Sequence, residues 1–227
     1  MSSVVDGLSR VRTQLAEATA RAGRAPGSVR LIAVSKFQPA TAIREAYQAG
    51  QRDFGENYVQ ELQQKATELA DLSELRWHMI GHLQRNKARV VAPIVTLLHT
   101  VHSADLVREL DKRAQGLAVL IEVNVGGEAQ KSGAPPEALP EIFSALAEAG
   151  HLVLRGLMCV PPHTEDPSGA RPYFDELVRL RELHGGAPRL PELSMGMTAD
   201  LDYAVAAGAT MVRVGTAIFG ARPKASG

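Results

Sequence analysis

The amino-acid sequence predicts an α/β fold: a single (β/α)8 TIM-type barrel domain over residues 1–227, preceded by one extra N-terminal helix. Three observations predict it. Short apolar runs alternate with helical stretches along nearly the whole chain, the connections between them are short, and about eight such runs can be counted. That number, spread over roughly 200 residues or more, is enough to close a parallel sheet into a barrel. An open doubly wound sheet is the competing arrangement. Against it, no strand is followed by a G-x-G-x-x-G turn, and Gly126-Gly127 lies in a loop that runs on through Lys131 and Gly133 rather than opening a helix.

The elements follow in order. Val4, Leu8, Val11, Leu15 and Ala18 recur at helical spacing among arginines and glutamates, which makes an amphipathic opening helix that stops near Gly23. Strand-then-helix pairs are expected at 29–35 and 40–49, 53–55 and 58–70, 77–80 and 85–92, and 97–101 and 104–114. They continue at 117–125 and 136–149, 152–160 and 173–183, and 193–195 and 199–207, with a last strand at 211–214. Trp77 and the stripe Val59, Leu62, Ala66 and Leu69 read as core, and residues 84–89 as a solvated helix start. The loop 161–169, rich in proline and polar residues, follows the sixth strand on the face where barrel sites form, and reads as a surface loop or a lid.

Composition narrows the function classes. Twenty-five basic residues balance twenty-five acidic ones, so no broad attraction to nucleic acid or to an anionic membrane is built in, and a small-molecule partner is expected. The single cysteine, Cys159, excludes an intrachain disulfide framework and a cysteine-based zinc site. The seven histidines are dispersed without H-E-x-x-H spacing, so no metal is expected. No apolar stretch resembles a signal peptide or a membrane span, and the expectation is a cytoplasmic protein.

Lys36 ends the run Leu31-Ile32-Ala33-Val34-Ser35, where a buried strand opens onto the C-terminal face of the barrel. A lysine there loses hydration, and its neutral amine is a nucleophile able to condense with an aldehyde; a lysine that simply emerges into solvent is the alternative. In Ser194-Met195-Gly196-Met197-Thr198 a short strand turns into a helix, with Thr198 as the expected N-cap. Backbone N–H groups and a serine hydroxyl can face a phosphate there, with Asp200 and Asp202 taken to point away. Arg213, a charge inside an apolar strand, precedes the turn Gly215-Thr216. These two loops follow the seventh and eighth strands, where barrels frequently bind phosphate. A buried ion pair for Arg213 and an ordinary turn at Gly215 are the structural alternatives.

These segments, together with 54–61 (Phe54-Gly55-Glu56-Asn57-Tyr58-Val59-Gln60-Glu61) and 77–87 (beginning Trp77-His78-Met79-Ile80-Gly81-His82), resemble the pyridoxal phosphate homeostasis protein family, also called the YggS/PROSC family. The resemblance covers nearly the whole chain and rests on five motifs in the same order. It implies a fold similar to the N-terminal barrel of alanine racemase, with pyridoxal 5′-phosphate (PLP) held as a Schiff base on Lys36. It places the phosphate against Ser194, Gly215 and Thr216 with the Met195 and Gly196 backbone, and Arg213 opposite the pyridine nitrogen. An arginine only donates, so that nitrogen stays unprotonated and the cofactor is a weak electron sink. Asn57 is a candidate partner of the phenolic oxygen. His78 reads as a core or ring-contacting imidazole, His82 as solvent-facing, Met158 as packing, and Lys131 as a solvated loop lysine or a second amine.

The function expected from the resemblance is to hold and hand on PLP, taking part in PLP homeostasis and in amino- and keto-acid balance, as a monomer without robust catalysis, with apo PLP-dependent enzymes as possible partners. Three alternatives stand beside it. An amino-acid racemase would share the barrel and the lysine, yet the chain runs only seven residues past Gly220, and none of Tyr47, Tyr58, Tyr173 or Tyr203 is expected at a strand end suited to catalysis. A Schiff-base sugar-phosphate aldolase would place its lysine on the sixth strand, where residues 152–159 contain none. A structural role is the third.

Overall fold

The computed structural model describes residues 3–128 and 130–221. Helix α1 (Val4–Arg21) comes first, then β1 (Arg30–Val34), α2 (Ala40–Gln48), β2 (Asp53–Glu56), α3 (Val59–Glu68), β3 (Arg76–Met79), α4 (Ala88–Val91), β4 (Leu97–Val101) and α5 (Ala104–Asp111). The second half holds β5 (Leu117–Glu122), α6 (Leu139–Glu148), β6 (Leu152–Met158), α7 (Arg171–Leu183), α8 (Gly186–Arg189), β7 (Glu192–Ser194), α9 (Leu201–Ala207), β8 (Met211–Val214) and α10 (Thr216–Phe219). The eight strands pair in chain order, all parallel, and β8 returns to β1. The expected (β/α)8 barrel with its extra helix is therefore present.

Two apolar layers result from the period-two alternation of the strands. One face of each strand packs outward against the helices, through Leu31, Ala33, Phe54, Trp77, Leu98 and Val119 among others. The other face points into the barrel, where Ile32, Leu97, Leu120, Met158 and Met211 form a separate inner cluster. Met158 is thus packing, as its position suggested. Helix α1 begins with a capping box in which Ser3 and Asp6 bond each other's backbone N–H, and it lies against α2, α9 and α10. A Cβ on Gly7 would overlap the Ile218 carbonyl oxygen, so this close approach requires glycine.

The structure corrects several boundaries. Strand β6 ends at Met158 rather than Val160, and β5 ends at Glu122, with a lone bridge from Val123 to Ala134 beyond it. Helices α8 and α10 were not anticipated, because four-residue helices carry too little periodicity to register. Within β6 the pairing with β5 slips by one residue, since Val119 faces Leu154 but Leu120 faces Gly156. This bulge is closed by glycine: a Cβ on Gly156 would overlap the Glu192 carbonyl oxygen of β7. A Gly156→Ala substitution is expected to cost about 1–3 kcal/mol of unfolding free energy through overpacking, measurable as a lowered urea midpoint.

Candidate functional site

The C-terminal mouth of the barrel begins with the turn after β1. Lys36 stands half-buried in that turn, two residues past the end of the strand. The peptides on both sides of it are fixed by α3. The Phe37 N–H donates to Glu61 Oε2 at 2.7 Å, and Lys65 Nζ donates to the Ser35 carbonyl at 2.8 Å. Lys65 also donates to Glu56 Oε1 and to Glu61 Oε2, each at 2.8 Å, while the Ser35 hydroxyl donates to the same Glu56 oxygen at 2.7 Å. Phe37 takes a left-handed backbone, φ 63°, which turns the chain sharply after the lysine. Lys65 and Glu56 are both buried, so this ion pair is enclosed rather than solvated. Burial pushes the Glu56 carboxyl up despite the pull of Lys65, and its second oxygen has no hydrogen-bond partner.

On β8, the strand that pairs with β1, Arg213 is buried with its guanidinium donating to Ser194 Oγ at 2.7 Å and to the Cys159 carbonyl at 2.8 Å. Ser194 Oγ lies 2.9 Å from His99 Nδ1, His99 Nε2 lies 3.0 Å from His78 Nδ1, and His78 Nε2 lies 2.9 Å from Asp53 Oδ1. Arg76 then closes on both Asp53 oxygens, at 2.8 and 2.6 Å. Burial works against charge on Asp53, but Arg76 and His78 hold its carboxyl well below the usual carboxylate range. Burial lowers His78 and, more strongly, His99, so both rings are neutral at pH 7. His78 is therefore a satisfied core histidine.

The turns after β7 and β8 complete this end. The Met195 N–H is spent on the Met211 carbonyl, and the buried Gly196, in left-handed conformation at φ 93°, accepts the Arg213 N–H with its carbonyl at 2.9 Å. A side chain on Gly196 would overlap Ala204 Cβ. Helix α9 starts later than expected, with Asp200 rather than Thr198 at its N-cap. Asp200 does not point away: its buried carboxylate accepts the Met197 N–H, because the tight turn leaves that donor without a backbone partner. Asp202 does face outward and pairs with Arg21 at 2.9 Å. Gly215 lies close against β1, where a Cβ would come within 3.1 Å of the Val34 carbonyl oxygen, and exposed Thr216 opens α10.

The other candidates are placed as follows. Asn57 follows β2, and a Cβ on Gly81 would overlap its carbonyl, so the β3 end packs directly on it; Asn57 Oδ1 is buried without a partner. His82 is exposed, its ring 4.5 Å from that of His102. Lys131 is not a free solvated lysine: it pairs with Glu128 at 2.6 Å and donates to the Pro161 carbonyl at 3.0 Å, tying two loops together. Tyr58 does stand just past a strand end, contrary to expectation, but its ring lies 5.2 Å from that of Phe37 and is 46% exposed. The sequence reading missed Asp53, His99, Lys65 and Glu122. Their common signal is a polar residue where the alternation or the helical stripe demands an apolar one. Glu122 ends β5 in a buried position, accepts from Ser132 at 2.9 Å, and leaves its second oxygen unpartnered.

The closed parallel barrel carries a lysine in the turn after β1 and a buried arginine on the adjacent β8, and residues 8–223 match the family described as alanine racemase, N-terminal domain. The chain is 45% identical to the pyridoxal phosphate homeostasis protein of Pseudomonas aeruginosa, over 98% of this chain and 97% of that one. It therefore belongs to the pyridoxal phosphate homeostasis protein family. The structure of PipY from Synechococcus elongatus with PLP bound superposes with a TM-score of 0.77 at 40% identity, covering 91% of this chain and all (100%) of that one. Alanine racemase from Corynebacterium glutamicum shares the fold, with a TM-score of 0.69 at 20% identity over 98% of this chain and 63% of that chain.

Two outcomes test this geometry. Lys65→Ala leaves Glu56 as an uncompensated buried carboxylate and is expected to cost about 3–5 kcal/mol in urea unfolding. Because His78 and His99 are lowered in the folded state, the unfolded chain binds more protons as pH falls below about 6.5, the ordinary histidine value. The stability from the neutral rings is present above that pH and is lost below it, by up to about 1.4 kcal/mol per pH unit for each ring. Urea midpoints at pH 7.5 and 5.5 measure this loss, and His99→Gln is expected to reduce it.

Proposed function

We propose that this protein binds PLP at the C-terminal mouth of its barrel, joined to Lys36, and that it holds and hands on the cofactor in PLP homeostasis and amino- and keto-acid balance. It does so as one domain over residues 1–227, as a cytoplasmic monomer, without robust catalysis of its own, and apo PLP-dependent enzymes are the partners that would receive the cofactor. The observation that carries this reading is the Lys36 turn: its two flanking peptides are clamped by Lys65 and Glu61, so the amine is presented from a fixed backbone at the barrel end where Arg213 and the two glycine turns meet.

The residues present fit the group. Gly215 brings backbone to within a Cβ's width of β1, and the first N–H groups of α10 have no partner within the helix, which suits a phosphate oxygen. Gly196, Gly215 and Thr216 would surround that phosphate, with Met195 fixing the turn from the core; Ser194, expected from the sequence to contact it, instead has its hydroxyl taken up by Arg213 and His99 and would support the turn from beneath. Asn57 Oδ1 and Glu122 Oε2 are buried polar atoms without partners, which a bound polar ligand or water would satisfy. Arg213 offers only donors toward the ring nitrogen and so keeps it unprotonated. When bound, the cofactor supplies an aldehyde that exchanges reversibly between amines. Weak electron withdrawal by an unprotonated ring favours that exchange over carbanion chemistry. The outward ring of Tyr58, tilted against Phe37, supports a holder rather than a racemase.

The test is a visible absorption spectrum of the purified protein and of Lys36→Ala after adding PLP, each reduced with borohydride and mapped by mass. The expected result is a cofactor adduct on Lys36 in the wild type and none at that position in the variant, with negligible racemisation of alanine. Absence of an adduct in the wild type would refute the assignment.

A further inference from the structure

We propose that Asp53, His78, His99 and Ser194 form a one-way hydrogen-bond relay that positions the Arg213 guanidinium for the cofactor ring, so that the bound ring responds to groups at the opposite mouth of the barrel. This rests on the reading that Lys36 carries PLP, and it adds four positioning residues beneath that site.

The direction of the relay follows from its two ends. Arg213 can only donate, so Ser194 Oγ accepts from it at 2.7 Å. Asp53, gripped through both oxygens by Arg76, is a carboxylate and can only accept, so the hydrogen between it and His78 sits on His78 Nε2. A neutral imidazole donates from one nitrogen and accepts at the other. His78 Nδ1 must then accept, which requires His99 to donate from Nε2; His99 Nδ1 must accept, which requires the Ser194 hydroxyl to donate. Every hydrogen points from Arg213 toward Asp53.

The reverse direction requires one more proton. If His99 donated from Nδ1 to Ser194, His78 would have to donate from both nitrogens as an imidazolium beside Asp53. Ser194 would then receive donors from Arg213 and from His99, and its own hydrogen would have no acceptor in the relay. Ser194 and His99 are 0% exposed and His78 is 1% exposed, so no solvent relieves this. The surrounding charges act in the same sense. Arg30 and Arg76 oppose a second proton on His78, Arg30 and Arg213 oppose one on His99, and only Asp53 favours it. Glu122, Asp200 and Cys159 act on Arg213 from the far side. The Asp53 end lines a cavity of about 330 Å³ at the N-terminal mouth, with Arg30, Arg76, Arg155 and Glu192. One end of the relay thus meets that mouth and the other fixes the arginine.

Two measurements test the relay. The first is imidazole nitrogen NMR of the wild-type protein without added cofactor at pH 7.5, where both His78 and His99 are expected to carry their hydrogen on Nε2. A hydrogen on Nδ1 of His99 would overturn the relay, and this readout needs no variant to fold. The second follows the visible band of Lys36-bound PLP against pH in the wild type, His99→Gln and His99→Leu. Glutamine retains one acceptor and one donor, so it is expected to keep the wild-type titration; leucine removes both and is expected to move its midpoint by about one unit. Mass mapping of the Lys36 adduct accompanies each titration. An adduct whose titration is the same in His99→Leu as in the wild type removes the relay alone; no adduct in the wild type removes the PLP reading and the relay's role with it.

Discussion

Arg213 is buried, 5% exposed, among strands whose backbone groups are already committed to the sheet ladder, so its donors must be met by side chains and strand-end carbonyls. That requirement organises the interior. A closed eight-stranded barrel holds only a few layers of inward side chains, and most here are apolar. Each polar residue admitted to them must satisfy the next, and the sequence from Ser194 through His99 and His78 ends only where Asp53 and Arg76 reach the other mouth. The inner apolar cluster surrounds this column, and its low dielectric strengthens every bond in it.

The Lys36 turn depends on a second enclosed charge. Lys65 reaches from α3 to the peptide before Lys36, and Glu61, one helical turn earlier, receives the peptide after it. Spacing of four along a helix puts both on one face. The loop is thus held by a regular element rather than by its own contacts, which is how a surface turn can present a side chain with the precision of a strand. Glu56 completes the cluster and binds it to β2, so the first two βα units behave as one support.

The barrel was legible because short continuous apolar runs such as Leu31-Ile32-Ala33-Val34 or Leu117 to Ile121, regularly alternating with helical stretches, read as strands buried on both faces, and the short connections leave little choice of topology. Lys36, Arg213 and the glycine turns were legible because a charge or a glycine in such runs breaks the pattern. His99 and Asp53 broke it too, within Leu97–Val101 and at the head of β2, but one polar residue reads equally as a surface position until its partners are known. Those partners lie on other strands, and only register brings His78 beside His99. Asp200 was misread for a related reason: the exact start of α9 decides whether its carboxylate turns back to Met197 or away, and helix starts are poorly encoded in a seven-residue helix.

The slip in β6 has a consequence for comparing chains of this kind. Before it, Arg155 faces the inner space at the N-terminal mouth; after it, Gly156 and Met158 do. Odd positions give way to even ones within a single strand. Removing one of residues 155 and 156 would leave the loops at either end unchanged in length, restore one-to-one pairing with β5 and keep Met158 in the inner cluster, so a one-position gap in an alignment between 155 and 156 marks the loss of a bulge rather than a trimmed connection.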